Sequence, residues 1–209
     1  MDQQVNRSRG RRAARGLVPL VGLLGAALLV YQGSNAAFSA TTVNNIDVWT
    51  AGTLALQNNG GTAAYAATTS ATFNETGLKP GSGATKCITV KSTSTAAGSL
   101  KLYRSGLVDS APSLGAQIQL TIDAAPVAAD VLSGCAGFPA AGLTSITSGV
   151  ALTALPTSYA TAVPSMAVAS GTQLVAYRIA YTFATTGTTA GDNALQGKSV
   201  TAAFTWELQ

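Results

Sequence analysis

The sequence predicts an all-β fold, an antiparallel β-sandwich or jelly roll with long loops and one disulfide. Three observations carry that prediction. Apolar and polar residues alternate with period two through several stretches, helical periodicity is nearly absent, and Gly, Pro and Asn clusters punctuate the alternating runs. Seven or eight short strands separated by such turns are the pattern of an antiparallel sandwich.

The elements follow in chain order. Thr53 to Gln57, Ala71 to Glu75, Thr85 to Ser92 and Ser99 to Arg104 read as short strands. In Gln117 to Asp123, Ile118, Leu120 and Ile122 face one way and polar residues the other, as in a half-buried strand. Leu174 to Phe183 sets Val175, Tyr177, Ile179, Tyr181 and Phe183 on one face, with Arg178 and Thr182 opposite. The last run sets Val200, Ala202, Phe204, Trp206 and Leu208 on one face, with Thr201, Thr205 and Glu207 opposite. Between the runs, Lys79-Pro80-Gly81 has the composition of a type II turn, Pro fixing φ and Gly supplying the left-handed residue. Asn58 to Gly61 and Gly187 to Asp192 read as loops. Ala124 to Ser170 is rich in Ala, Pro, Gly and Ser with weak periodicity. It is expected to form long connections pinned by Cys135, with a short helical turn near Val127 to Leu132.

Ahead of these strands lies a different kind of sequence. Five arginines (Arg7, Arg9, Arg11, Arg12, Arg15) precede an apolar run from Leu17 to Tyr31, and Gly33-Ser34-Asn35-Ala36 follows. A charged n-region, a short h-region and a small-residue exit describe a secretory signal peptide over residues 1–36, cut between Ala36 and Ala37. The apolar run is 15 residues long, below the ~20 that a membrane-spanning helix needs. The expected organisation is therefore a signal at 1–36, an N-terminal segment at 37–50 and a β-sandwich domain at 51–209, in a protein that is secreted.

Removing the signal changes the charge. The signal holds five of the twelve basic residues and one of the eight acids, so the remaining 173 residues are formally neutral. Nucleic-acid binding through bulk charge has no support in such a chain, whereas a net charge near zero lowers the barrier to self-association. Two cysteines, Cys87 and Cys135, remain. An even count in a secreted chain favours a disulfide, with two free thiols or an intermolecular bond as the alternatives. Closing a 48-residue loop would stabilise the fold by about 4 kcal/mol.

Catalytic chemistry has little to work with. There are no histidines, which removes Ser-His and Cys-His nucleophilic systems and His-based zinc sites. With two cysteines at most, no thiolate cluster can form. Asp123 and Asp130 are close in sequence but read as loop carboxylates rather than a catalytic dyad. Gly81-Ser82-Gly83 lacks the following helix and Gly-Lys-Ser/Thr ending of a phosphate loop. Asn74-Glu75-Thr76 fits the short glycosylation sequon, and Trp49 and Trp206 read as core residues rather than a sugar-binding surface. No catalytic residue, metal ligand or cofactor is assigned.

Three motifs stand in a characteristic order behind the signal. They are Ala36-Ala37-Phe38-Ser39 followed by Trp49-Thr50-Ala51-Gly52-Thr53-Leu54-Ala55-Leu56, then Ala71-Thr72-Phe73-Asn74-Glu75-Thr76-Gly77-Leu78-Lys79-Pro80-Gly81, then the closing Ser199 to Glu207. In these, covering the first third and the last strand, the chain resembles the TasA/camelysin family of secreted biofilm-matrix proteins of Gram-positive bacteria. The resemblance implies a jelly-roll subunit of an extracellular fibre, not an enzyme. Its freed N-terminal segment would add as a strand to the next subunit after a signal peptidase exposes it. Carried over, the donor strand starts at Ala37 and runs to about Asp47, with Phe38, Val43 and Ile46 as its apolar anchors. The implied partners are further copies of the chain, the signal peptidase during export and an accessory or anchoring matrix protein. Metalloprotease activity, described for camelysin-type relatives, is not carried over, because the chain lacks H-E-x-x-H and any histidine. The cysteine pair departs from cysteine-poor members and implies a disulfide-bearing branch.

Two functions of different class fit this reading. One is the fibre subunit; the other is a monomeric cell-surface binding module or adhesin using the loops of Ala124 to Ser170. They differ in whether the N-terminal segment leaves its own domain. Pairing within its own sheet favours the monomer, and projection away from it favours the polymer.

Overall fold

The computed structural model describes residues 40–43 and 54–209, all within the compact unit Ser39–Gln209. The signal segment, Ala36, Ala37, Phe38, Ile46 and Trp49 lie outside the described residues.

The described residues form two antiparallel sheets. The first has the order β1-β9-β4-β7, from strands Ala40–Val43 (β1), Val200–Leu208 (β9), Gly98–Asp109 (β4) and Met166–Val168 (β7). The second has the order β2-β3-β8-β5-β6, from Leu54–Asn58 (β2), Gly83–Ser94 (β3), Gly171–Phe183 (β8), Ile118–Val127 (β5) and Thr144–Ala151 (β6). The predicted sandwich is the observed architecture. Its heart is the β3–β8–β5 array, with twelve residues of β3 in continuous register from Gly83↔Thr182 to Ser94↔Gly171.

Alternation builds the core. Ile118, Leu120 and Ile122 of β5, Val175, Tyr177 and Ile179 of β8, and Trp206 and Leu208 of β9 are buried in one cluster between the sheets. Each such large side chain withdrawn from water contributes on the order of 1.5–3 kcal/mol. Trp206 is fully buried, as the core reading expects, and its ring meets that of Tyr177 edge-on at 5.6 Å. The indole N–H of Trp206 and the hydroxyl of Tyr177 are both buried without a hydrogen-bond partner among the described residues.

The disulfide joins Cys87 to Cys135. Cys87 lies on the outer face of the second sheet, where a small second cluster with Val131 and Ala176 is roofed by residues 128–138. Asn59 organises the attachment. Its amide donates to the Val131 carbonyl while its side-chain oxygen accepts from the backbone N–H groups of Thr89 and Gly61. The Asn58 to Gly61 loop is thus a loop as expected, yet both asparagines are fully buried. The Lys79-Pro80-Gly81 turn also forms, with Ser82 N–H donating to the Lys79 carbonyl and Gly81 at φ 89°.

Four expectations are corrected. Ala71 to Glu75 is not a strand; it runs alongside the sandwich without a ladder, its Phe73 ring edge-on to Tyr181 at 5.4 Å. Ala71 and the run from Phe73 to Leu78 line the groove described below instead of pairing. The stretch read as long connections, 124–170, contains the end of β5 together with β6 and β7. The pairing of β6 with β5 shifts register at Leu120/Ile122 and Ile122/Asp123, and Gly149 takes φ 62°, which breaks the period-two signal. No helical turn forms at Val127 to Leu132; a single 3-10 turn forms instead at Leu152–Ala154. Finally, the loop from Gly187 winds into a one-turn helix, α1, at Thr189–Ala194, because the Thr188 hydroxyl caps it by accepting from Gly191 N–H at 3.1 Å.

Candidate functional site

The sequence directs attention to the N-terminal segment and whatever receives it. Of the proposed donor residues, Val43 falls within the described strand, and it pairs inside the molecule. β1 runs antiparallel to β9 of the same chain, with Ala40↔Leu208, Thr41↔Glu207, Thr42↔Trp206 and Val43↔Thr205. For this form of the chain, the pairing is the arrangement that favours a monomer. Val43 stands opposite Thr205, whose hydroxyl meets that of Ser105.

β1 covers only part of its neighbour. β9 has nine residues and β1 four. Among the described residues, Val200 to Phe204 have β4 on one side and no strand on the other. Burial follows the coverage: Thr205, Trp206 and Leu208 are buried, whereas Val200, Ala202 and Phe204 are only partly so. A row of main-chain N–H and C=O groups without a ladder partner is a template for another strand.

Beside this uncovered edge lies a groove of about 740 Å³ between the sheets. Val200, Ala202 and Phe204 line one side, Phe73 and Leu78 the other, and Leu114 and Phe183 lie among its walls. Lys198 and Glu75 are at its rim. The sequon residue Asn74 is exposed at the same rim. An apolar trough running beside an open strand edge accepts an extended peptide well, because the backbone can join the sheet while alternate side chains enter the trough.

Several of the remaining charged groups are engaged in structure. Arg178 donates to Asp123 at 2.7 Å, and its guanidinium also lies over the Phe138 ring at 4.8 Å. Asp130 accepts from the Tyr65 hydroxyl, so the two aspartates close in sequence do not face each other as a dyad. Asp109 accepts from the Ser113 hydroxyl and the Leu114 and Gly115 N–H groups, fixing the β4–β5 connection. Asp192 is held below the usual carboxylate range, first by the Thr186 backbone N–H and then by the Thr185 and Thr186 hydroxyls.

Sequence reasoning named a donor segment but no surface that could receive it. The groove is assembled from residues 71–78, 114–120, 181–183 and 195–204, which no local pattern unites. Its one local signal was the closing alternation, whose apolar face includes Val200, Ala202 and Phe204. No protein-family model and no curated protein matches this chain.

Proposed function

We propose that this chain is the structural subunit of an extracellular fibre or biofilm matrix, secreted and freed of its signal between Ala36 and Ala37. In this reading it assembles head-to-tail by donating its N-terminal segment to the next copy. The observation that carries the reading is the uncovered Val200 to Phe204 edge of β9 beside an apolar groove. Such a contact between a donor at one place and an acceptor at another does not close on itself and grows a filament. Before cleavage the leader would tie down the donor segment, making processing the assembly switch. An accessory or anchoring matrix protein would fix the fibre to the cell envelope, and the chain itself performs no catalysis.

A second reading, a monomeric secreted surface module, is favoured by the pairing of Ala40–Val43 within its own sheet. Electron microscopy of the purified chain beginning at Ala37, beside a version carrying extra residues ahead of Ala37, separates the two. Fibres from the native N-terminus alone are expected. Monomers from both, at high concentration and over days, would favour the surface module.

A further inference from the structure

The interior of the sandwich is filled differently along its length. Toward the Leu208 end of β9, Trp206 meets Tyr177 of β8, and both are fully buried. Four residues back along β9 the same inward position is held by Ala202, and four residues on along β8 by Tyr181. An alanine stands where the other end has an indole, and the groove of about 740 Å³ lies against it.

One wall of that groove is regular sheet. Ile118 pairs with Phe183 and Leu120 with Tyr181 across the β5–β8 ladder, and all four line the groove. Directly opposed residues share a face, so the two pairs make one continuous apolar surface. Val200, Ala202 and Phe204 face them from β9 over four strand steps, about 13 Å. Charge enters only at the rim, through Glu75 and Lys198. An elongated apolar slot of this size falls within the ~300–1,000 Å³ of small-molecule sites.

The two rim charges are not equivalent. Neither is paired with an opposite charge among the described residues. Glu75 is exposed and lies toward Tyr181, whose phenol is held above its ordinary value by burial first and by the Glu75 charge second. Lys198 is half-buried on the other lip, just ahead of β9. A charge partly withdrawn from water gains more from a counter-ion than a fully solvated one. An apolar chain in the slot with an anionic head at Lys198 matches both features.

We infer that the groove binds a single-chain carboxylate amphiphile, a free fatty acid of medium length. Its alkyl chain lies between the Ile118–Phe183 and Leu120–Tyr181 pairs and β9, and its carboxylate meets the Lys198 ammonium. The site belongs to the single subunit and does not depend on assembly of copies. Ala202 sets its capacity, because a larger side chain there occupies the slot. Lys198 selects the head group.

The test is calorimetric titration of the dilute, disulfide-bonded chain beginning at Ala37. The probes are decanoate, octanoate, 1-decanol and decyltrimethylammonium, the amphiphilic ions below their critical micelle concentrations. Saturable binding of one decanoate per chain is expected, with octanoate about tenfold weaker because two buried methylenes are lost. Lys198→Glu is expected to weaken decanoate about fivefold and to leave 1-decanol unchanged. Ala202→Trp is expected to abolish binding of both, with melting curves confirming that each variant folds. A second measurement leaves the groove unaltered. In a Trp49→Phe chain, 10-bromodecanoate should quench Trp206 fluorescence, since Phe204 lines the groove with its ring 6.4 Å from that of Trp206. No saturable decanoate binding, binding without quenching, or unaltered binding in the folded Ala202→Trp variant would overturn the site. Decyltrimethylammonium binding as tightly as decanoate would overturn the carboxylate class of ligand.

Discussion

Two strand edges of this sandwich are built in opposite ways. β6 closes one side of the five-stranded sheet with two register shifts against β5, a left-handed Gly149 and a Thr/Ser-rich face. Bulges of this kind twist an edge away from partners. β9 meets β1 in unbroken register over Thr205–Leu208 and then continues past it as Val200–Phe204 beside an apolar groove. β6 is blunted on a polar face, whereas β9, whose pairing with β4 shifts register once near Thr201–Ala203, lies beside an apolar groove. The contrast teaches that exposure of an edge is not by itself a docking signal. What distinguishes β9 is the trough beside it, which alternate side chains can enter.

The two halves of β9 offer the sharpest comparison on stability. Trp206 lies in the covered half and is fully buried, whereas Phe204 lies in the uncovered half and is partly exposed. Trp206→Ala is expected to cost about 3–5 kcal/mol, as large-to-small core changes do. Phe204→Ala is expected to cost no more than about half of that, because part of its surface already meets water. Chemical denaturation of the monomer measures both. Equal losses would mean that β9 is buried along its whole length and would break the comparison.

A smaller effect tests the covered half from the other side of the core. Tyr177 packs against Trp206 with its hydroxyl unpartnered, and burial pushes its phenol above the ordinary value of 10.0. A raised folded-state value means that stability is fully present below about pH 10 and is lost as pH rises beyond it toward the folded value. Tyr177→Phe keeps the ring and removes the orphaned hydroxyl. It is expected to be neutral or to stabilise by up to about 1 kcal/mol at neutral pH, and to shift alkaline unfolding upward. Melting curves from pH 7 to 11 read both effects. A loss of stability at neutral pH would show that the hydroxyl has a partner.

Much of this architecture was legible in the sequence, and the reasons are specific. β5, β8 and β9 are regular strands buried on one face, so Ile118, Leu120 and Ile122 or Val200 to Leu208 declare themselves by alternation. Pro80 and Gly81 declare the turn by backbone chemistry. β6 was hidden because bulges break period two, and Ala71 to Glu75 misled because a short alternation arises without a ladder. The groove beside β9 was illegible for a different reason. Its lining comes from residues 71–78, 114–120, 152, 181–183 and 195–204, which no local pattern unites.

The most direct measurement of the central claim compares single charges placed on the two edges of the chain beginning at Ala37. Ala202→Asp puts a carboxylate in the groove beside the uncovered edge of β9, and Ser148→Lys puts an ammonium on the exposed β6. Fibre growth followed by light scattering and electron microscopy, with melting curves to confirm folding, should fall at least tenfold for Ala202→Asp and be unchanged for Ser148→Lys. Fibres from the folded Ala202→Asp variant at the unaltered rate would contradict the assignment of β9 as the acceptor.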